Sequence, residues 1–192
     1  PLRVSADGAA VKGKISLDEQ TEPGRALARL SDLGWGGALR DLFATDHHGR
    51  PLDTQVPAGL AKACVRVLAD WGWEQRPAAV LAIPSLGRPL LVESLARGIA
   101  TVGRLPWLGS LGLAPDAGPL SSDVNSAFRV AGVWDRFVVP PELRLAVAGL
   151  GGAPVLLVDD SVESRWTMTV AGRLLRRAGS GPVLPFVLGV RG

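Results

Sequence analysis

The stretch PVLLVDDSVESRWTMT, residues 154–169, runs four apolar residues, Val155 to Val158, straight into two adjacent carboxylates, Asp159 and Asp160. Aspartate is depleted in strands and almost never buried unpaired, so the doublet is expected where a buried strand reaches solvent. The residues that follow, Glu163, Ser164, Arg165, Trp166 and Thr167, read as a loop opening a helix. That helix is expected from about Ser164 to Ala178, stopped at Gly179.

Working outward, the alternation of apolar run and helical stripe recurs. AAVLAI, residues 78–83, reads as a second buried strand with PSLGRP as the turn after it, and VLPFVLGV, residues 183–190, reads as the last strand. Leu60, Cys64, Leu68 and Trp71 share one face of a helix begun by Pro57, and Leu91, Leu95, Ile99 and Val102 form the next stripe. A short strand is expected between Leu105 and Leu111. NSAFRVAGVWDRFVV, residues 125–139, is an island in a Gly-, Pro- and Ser-rich tract and reads as a small strand pair or a flap. Buried strands separated by helices indicate an α/β domain with a mostly parallel sheet, and such sheets bind ligands beyond the strands' carboxyl ends. Nearer the start, Leu27, Leu30 and Leu33, then Leu39, Leu42 and Phe43, recur at helical spacing and predict two short helices. The organisation expected is a tether over 1–22, an N-terminal helical segment over 23–56 and the α/β domain over 57–192.

Composition constrains partners weakly. The 192 residues, 47% hydrophobic, suit one compact core with a preface. Net charge is +3, and the basic residues are 18 Arg against Lys12, Lys14 and Lys62. Arg suits forked contacts to phosphate and carboxylate, but GC-rich coding gives the same bias, so composition selects no partner. Cys64 is alone, which excludes a disulfide framework and a cysteine-rich metal site and fits a reducing, cytoplasmic setting. No run of about 20 apolar residues occurs, so no membrane partner is expected. The start lacks a secretory apolar region and an initiator Met, which suggests a piece of a longer chain. His47 and His48 are adjacent and have no third ligand at metal spacing.

At a parallel sheet's carboxyl edge, Asp159 and Asp160 would lie beside a helix amino terminus. There, free N–H groups and the positive dipole end favour an anion, and the Ser164 and Thr167 hydroxyls add hydrogen bonds. Carboxylates suited to hydroxyls or Mg2+, beside donors for a phosphate, match a sugar phosphate. Two other readings stand beside this one. VLLVDD also fits the acidic strand of a P-loop NTPase, with GAAVKGKIS, residues 8–16, near its phosphate loop; Ile15, however, takes the hydroxyl position and no apolar strand precedes Gly8. The doublet also fits a plain solvated strand end and helix cap.

The whole string, four apolar residues, two acids, two further residues and a Ser/Thr-bearing loop, resembles the binding signature of type I phosphoribosyltransferases. The resemblance implies that Asp159 and Asp160 hold the ribose hydroxyls of phosphoribosyl pyrophosphate (PRPP). It implies that Glu163, Ser164, Arg165, Trp166 and Thr167 wrap the 5'-phosphate, and that IPSLGRP, with Ser85 and Arg88, holds the pyrophosphate. Mg2+ would arrive with PRPP and reach Asp159 and Asp160 only through it. Glu163 stands where purine-using members carry an acidic general base, which makes it the acid/base candidate. NSAFRV, residues 125–130, is similar to the segment before the acidic strand in ComF-like members. Arg165 departs from the family's usual Gly, and Trp166 serves either base stacking or packing.

Taken nearly end to end, EPGRALARLSDLGWGGALRDLF, CVRVLADWGWEQRP, AIPSLGRPLLVESLARG and VLLVDDSVESRWTMTVAGRLLRRAG resemble the carboxyl-terminal region of a branch of bacterial RecQ-family DNA helicases. This resemblance covers about residues 15–190 and implies a helicase motor domain elsewhere in the same parent chain, with ATP-dependent unwinding and DNA repair as the parent's work. Two functions stay open. One is an accessory module binding a phosphorylated ribose or nucleotide, DNA or a second copy of itself; the other is an active PRPP-dependent transferase acting on a nucleobase. For DNA, the candidate is the cluster Arg173, Arg176 and Arg177, whose plainer role is to complement a helix dipole. Arg165 and the absence of a base-recognition motif favour binding over turnover.

Overall fold

The computed structural model describes residues 3–6, 9–12, 15–115, 117, 133–163 and 165–191. At its centre is a parallel sheet of five strands: β3 (Arg25–Arg29), β4 (Ala79–Ala82), β5 (Trp107–Ser110), β8 (Val155–Val162) and β9 (Val183–Val190). Their order is β3-β9-β8-β4-β5, and every neighbouring pair is parallel. The chain is thus an α/β domain with a mostly parallel sheet. Two antiparallel pairs accompany it: β1 (Arg3–Ala6) with β2 (Ala9–Lys12), and β6 (Gly112–Leu113) with β7 (Phe137–Val138). The β6–β7 pair takes in the end of the 125–139 island; residues 125–130, with NSAFRV, lie outside the described residues.

Both faces of the sheet are covered, which is why its inner strands read as unbroken apolar runs. Side chains alternate along β8: Leu156 and Val158 face α1 (Gly36–Leu42), α2 (Ala58–Ala69) and α3 (Pro89–Gly103), where Leu39, Leu60 and Leu95 meet them. Val155 and Leu157 face α4 (Pro141–Ala148) and α5 (Trp166–Arg177), through Val147, Ala171 and Leu175. Cys64 is fully buried on α2, and burial pushes its thiol up to about 12, so it stays a protonated core group. Among the described residues no helix is long and apolar enough to cross a membrane.

The first of the two expected N-terminal helices is instead the edge strand β3. Three-residue spacing of Leu27, Leu30 and Leu33 resembles a helical face, but Leu33 is fully exposed while Leu27 and Leu30 pack on the core. What decides the conformation is the open edge of β9. Glu22 N–H donates to the Val183 carbonyl at 2.9 Å, and Leu30 N–H donates to Val190 at 3.1 Å, so the segment between them is drawn out along that edge. The second expected helix is α1. Pro185, which lacks an N–H, sits on β9 one residue before its register with β3 begins at Arg25↔Phe186.

Residues 15–22, expected to belong to a tether, are fastened to α5. Arg173, Arg176 and Arg177 project from one face of that helix at i, i+3 and i+4. Glu19 accepts from Arg173 Nε at 2.7 Å and from Arg177 Nε at 2.6 Å, and the Asp18 carbonyl accepts from Arg176 Nε at 2.6 Å. Arg173 also lies 4.6 Å from the Trp134 ring centroid. The cluster singled out for DNA or for the helix dipole is therefore engaged with the chain's own amino-terminal segment. At the helix end itself, Arg176 Nη1 donates to the Ser180 carbonyl at 3.1 Å.

Candidate functional site at the carboxyl edge

The acidic strand is longer than expected. β8 continues two residues past Asp160, because β9 runs beside it as far as Val162↔Val190 and supplies ladder partners throughout. Asp159 and Asp160 are consequently not a solvated strand end: each is only 8% exposed. Arg191 N–H closes the ladder on the Val162 carbonyl at 2.8 Å.

On the α1–α3 face, the two segments singled out in the sequence meet. Arg88, from the turn after β4, lies with Nη1 3.7 Å from Asp160 Oδ2. Its Nη2 donates to the Phe43 carbonyl at 2.7 Å, its Cζ is 5.2 Å from the Phe43 ring centroid, and its Nε is buried without a hydrogen-bond partner among the described residues. Leaving such a donor unmatched costs on the order of 1–3 kcal/mol. Ser161 Oγ donates to Asp160 Oδ1 at 3.0 Å, and Arg191 Nε donates to Ser161 Oγ at 3.4 Å. Arg191 Cζ is likewise 5.2 Å from the Phe43 ring centroid. That ring has room because residue 189 is Gly: a Cβ there would come within 2.7 Å of Phe43 Cε2.

Ser85 and Asp53 shape the Arg88 turn. Ser85 Oγ accepts from Arg88 N–H at 3.0 Å, while the Asp53 carboxylate accepts from Leu90 and Leu91 N–H at 3.0 and 2.9 Å. Asp53 thus caps α3 from a distant loop, since Arg88 at the N-cap makes no side-chain cap bond. Sequence reasoning missed Asp53, Phe43, Ser161 and Arg191. Arg191 alone carried a signal, a cation immediately beyond a buried strand that runs parallel to the acidic one.

Asp159 belongs with the α4–α5 face, its neighbours of the same parity, Val155 and Leu157, packing there. Its Oδ1 accepts from the Asp160 N–H at 2.8 Å. Burial first, and the Asp160 carboxylate second, push the Asp159 carboxyl well above its ordinary 3.8, against the pull of the Asp160 N–H. The folded chain therefore holds this proton more tightly than the unfolded one. That stabilisation is complete below 3.8 and is lost as pH rises through the raised value. Asp159→Asn is expected to raise the melting temperature near neutral pH and to give no gain below the ordinary carboxylate range; a gain of the same size at both ends would contradict the shift.

Of the connecting loop, Glu163 and Arg165 are exposed, and Trp166 and Thr167 are half-buried in the first turn of α5. Ser164 lies outside the described residues. Arg165 has φ −70 and ψ −2, an ordinary right-handed conformation, so the replacement of the usual Gly creates no backbone strain. Asp159 and Asp160 alternate along β8, and Asp160 is engaged by Arg88 and Ser161; among the described residues no group of three or more His, Cys, Asp and Glu could hold a metal ion. A separate cleft of about 390 Å³, lined by Leu68, Trp73, Pro77, Ile99 and Leu105 among others, includes none of the candidate residues.

No protein-family model matches the chain, and no curated protein does. Solved structures do. The chain aligns over 67% of its length with 26% of a glutamine phosphoribosylpyrophosphate (PRPP) amidotransferase from B. subtilis complexed with ADP and GMP, at 23% identity and a TM-score of 0.44. It aligns over 69% of its length with 65% of a hypothetical protein from Neisseria gonorrhoeae with bound ppGpp, at 20% identity and 0.45. It aligns over 84% with 81% of an adenine phosphoribosyl transferase from Trypanosoma brucei in complex with AMP, pyrophosphate and ribose-5-phosphate, at 15% identity and 0.47. At these values the likeness does not extend beyond the fold. The chain spans about a quarter of the amidotransferase it matches.

Proposed function

We propose that this domain binds a phosphorylated ribose compound, a sugar phosphate or nucleotide, at the carboxyl edge of its sheet. The observation that carries the reading is the meeting of Arg88, from the turn after β4, with Asp160 on β8, two residues that the phosphoribosyltransferase signature assigns to one ligand. An anion-binding guanidinium and a hydroxyl-binding carboxylate at one parallel-sheet edge match a ligand with both kinds of group. In this reading Asp160 takes ribose hydroxyls, with Asp159 behind it. Arg88, held by Ser85, takes an anionic group, and Ser164, Arg165 and Thr167 take the 5'-phosphate. Mg2+ enters with the ligand.

The domain serves as an accessory part of a RecQ-like helicase, a reading supported by the four resembling segments. DNA and a second copy of the chain are further partners within it. Turnover as a transferase is the second reading, favoured by the exposure of Glu163 directly after β8, where an acid/base group would have to stand.

The test is calorimetric titration of Mg2+ with PRPP, and separately of ribose 5-phosphate and AMP, into the chain and into Asp159→Asn/Asp160→Asn. Binding weakened at least about tenfold in the variant, a loss of roughly 1.4 kcal/mol, is expected. Equal affinity in both proteins, or none in either, would sink the reading. Pyrophosphate release from PRPP with a nucleobase would favour the transferase.

A further inference from the structure

Among the described residues, two guanidiniums and one carboxylate gather around Phe43. Arg88 and Arg191 lie at the same 5.2 Å from the Phe43 ring centroid. Asp160 faces Arg88 directly and Arg191 through the Ser161 hydroxyl. Arg88 is 8% exposed, and its Nε is buried without a partner among the described residues. A surplus positive charge in a half-buried cluster, together with a buried donor unmatched among the described residues, favours uptake of an anion. Asp160 already occupies one side of the Arg88 fork, so an incoming anion and Asp160 compete for the same guanidinium.

We propose that Arg191 is a second anion-holding residue of this site, and that Asp160 is the internal counter-ion which the anionic group of a ligand replaces on Arg88. Binding is then an exchange. A phosphate or diphosphate engages Arg88 and Arg191, and Asp160, released from Arg88, becomes available to hydroxyls on the same ligand. The pair sets specificity: a ribonucleoside without phosphate has nothing to offer Arg88 and leaves Asp160 engaged. The step involving hydroxyls rests on the sugar-phosphate reading above, whereas the exchange at Arg88 does not.

The exchange is read with inorganic pyrophosphate alone, titrated without metal into the wild-type chain, Arg191→Gln and Asp160→Asn, with thermal unfolding of each as a check on folding. Arg191→Gln is expected to weaken pyrophosphate about fivefold or more, and Asp160→Asn to tighten it by a similar factor, the size of a coupling of roughly 1 kcal/mol. Unchanged affinity in Arg191→Gln, or weaker or unchanged affinity in Asp160→Asn, overturns the proposal. Should Asp160→Asn not fold, the wild-type chain decides the competition: AMP is expected to bind and adenosine not, and adenosine binding with the affinity of AMP overturns it. Exchange by pyrophosphate with no binding of AMP or ribose 5-phosphate would remove the sugar-phosphate reading and leave the anion site standing.

Discussion

Asp160→Asn and Arg88→Met are each expected to lower the unfolding free energy by about 2–3 kcal/mol, and the double variant by clearly less than the two together. Removing one member of a buried pair leaves the other charge without a partner, and that penalty usually falls at 3–5 kcal/mol. The lower figure applies here because the closest approach is 3.7 Å and the two side chains retain 10% and 12% exposure. Arg88→Met also strips the Phe43 carbonyl of its donor, so its cost is not purely electrostatic. Urea unfolding of the four proteins of the cycle measures the coupling. Additivity within about 0.5 kcal/mol would mean that the two residues are neighbours without being partners, and the exchange at Arg88 would lose its basis.

Gly181→Ala is expected to be as damaging, by about 3 kcal/mol or more, although it adds one methyl group and removes no charge. A Cβ at 181 would lie 1.9 Å from the Gly152 carbonyl oxygen and 2.7 Å from the Ala153 carbonyl carbon. These are backbone atoms and cannot rotate aside. They belong to the turn that feeds β8, and Gly181 N–H is bonded to the Ala153 carbonyl at 3.0 Å, so relief would shift the start of β8 against β9. Gly98→Ala is the matched control. It lies within α3, and beyond its own stretch of helix no described atom would come inside 4 Å of the added carbon, so there the better helix former should stabilise by about 0.5–1 kcal/mol. Opposite signs in thermal unfolding are the expected result; two destabilising changes of like size would contradict the packing argument.

The legibility of the fold varied with how many faces each element buries. β4, β8 and β9 are covered on both sides, so their sequences carry near-continuous apolar runs, AVLA, VLLV and VLPFVL, that read as inner strands. α2 and α3 bury one stripe, and Leu60, Cys64 and Leu68, or Leu91, Leu95 and Ile99, display it at helical spacing. β3 is an edge strand of five residues whose leucines satisfy two periods, and nothing local chooses between them. The choice came from hydrogen-bonding groups on β9, far along the chain.

The site divides in the same way. Residue types at Asp159, Asp160, Ser85 and Arg88 were legible as chemistry because carboxylates after an apolar run and a cation after a buried strand are costly unless used. Their mutual arrangement was not legible. Whether β8 ended at Asp160 or ran on depended on the length of β9, and that length placed the two carboxylates within the ladder instead of together in solvent. Asp53, Phe43 and Arg191 entered through contacts between distant segments, by a capping carboxylate, a backbone carbonyl and ring, and a guanidinium.

Residue order was enough for the α/β class, the parallel arrangement, the inner strands and the chemical character of the carboxyl edge, because burial and backbone geometry constrain residue type locally. Folding in three dimensions was needed to make the N-terminal segment an edge strand, to bring Glu19 to Arg173 and Arg177, and to set Arg88 against Asp160. Those outcomes depend on which unpaired hydrogen-bonding groups and charges come within reach once the chain is folded, and no window of neighbouring residues contains that information.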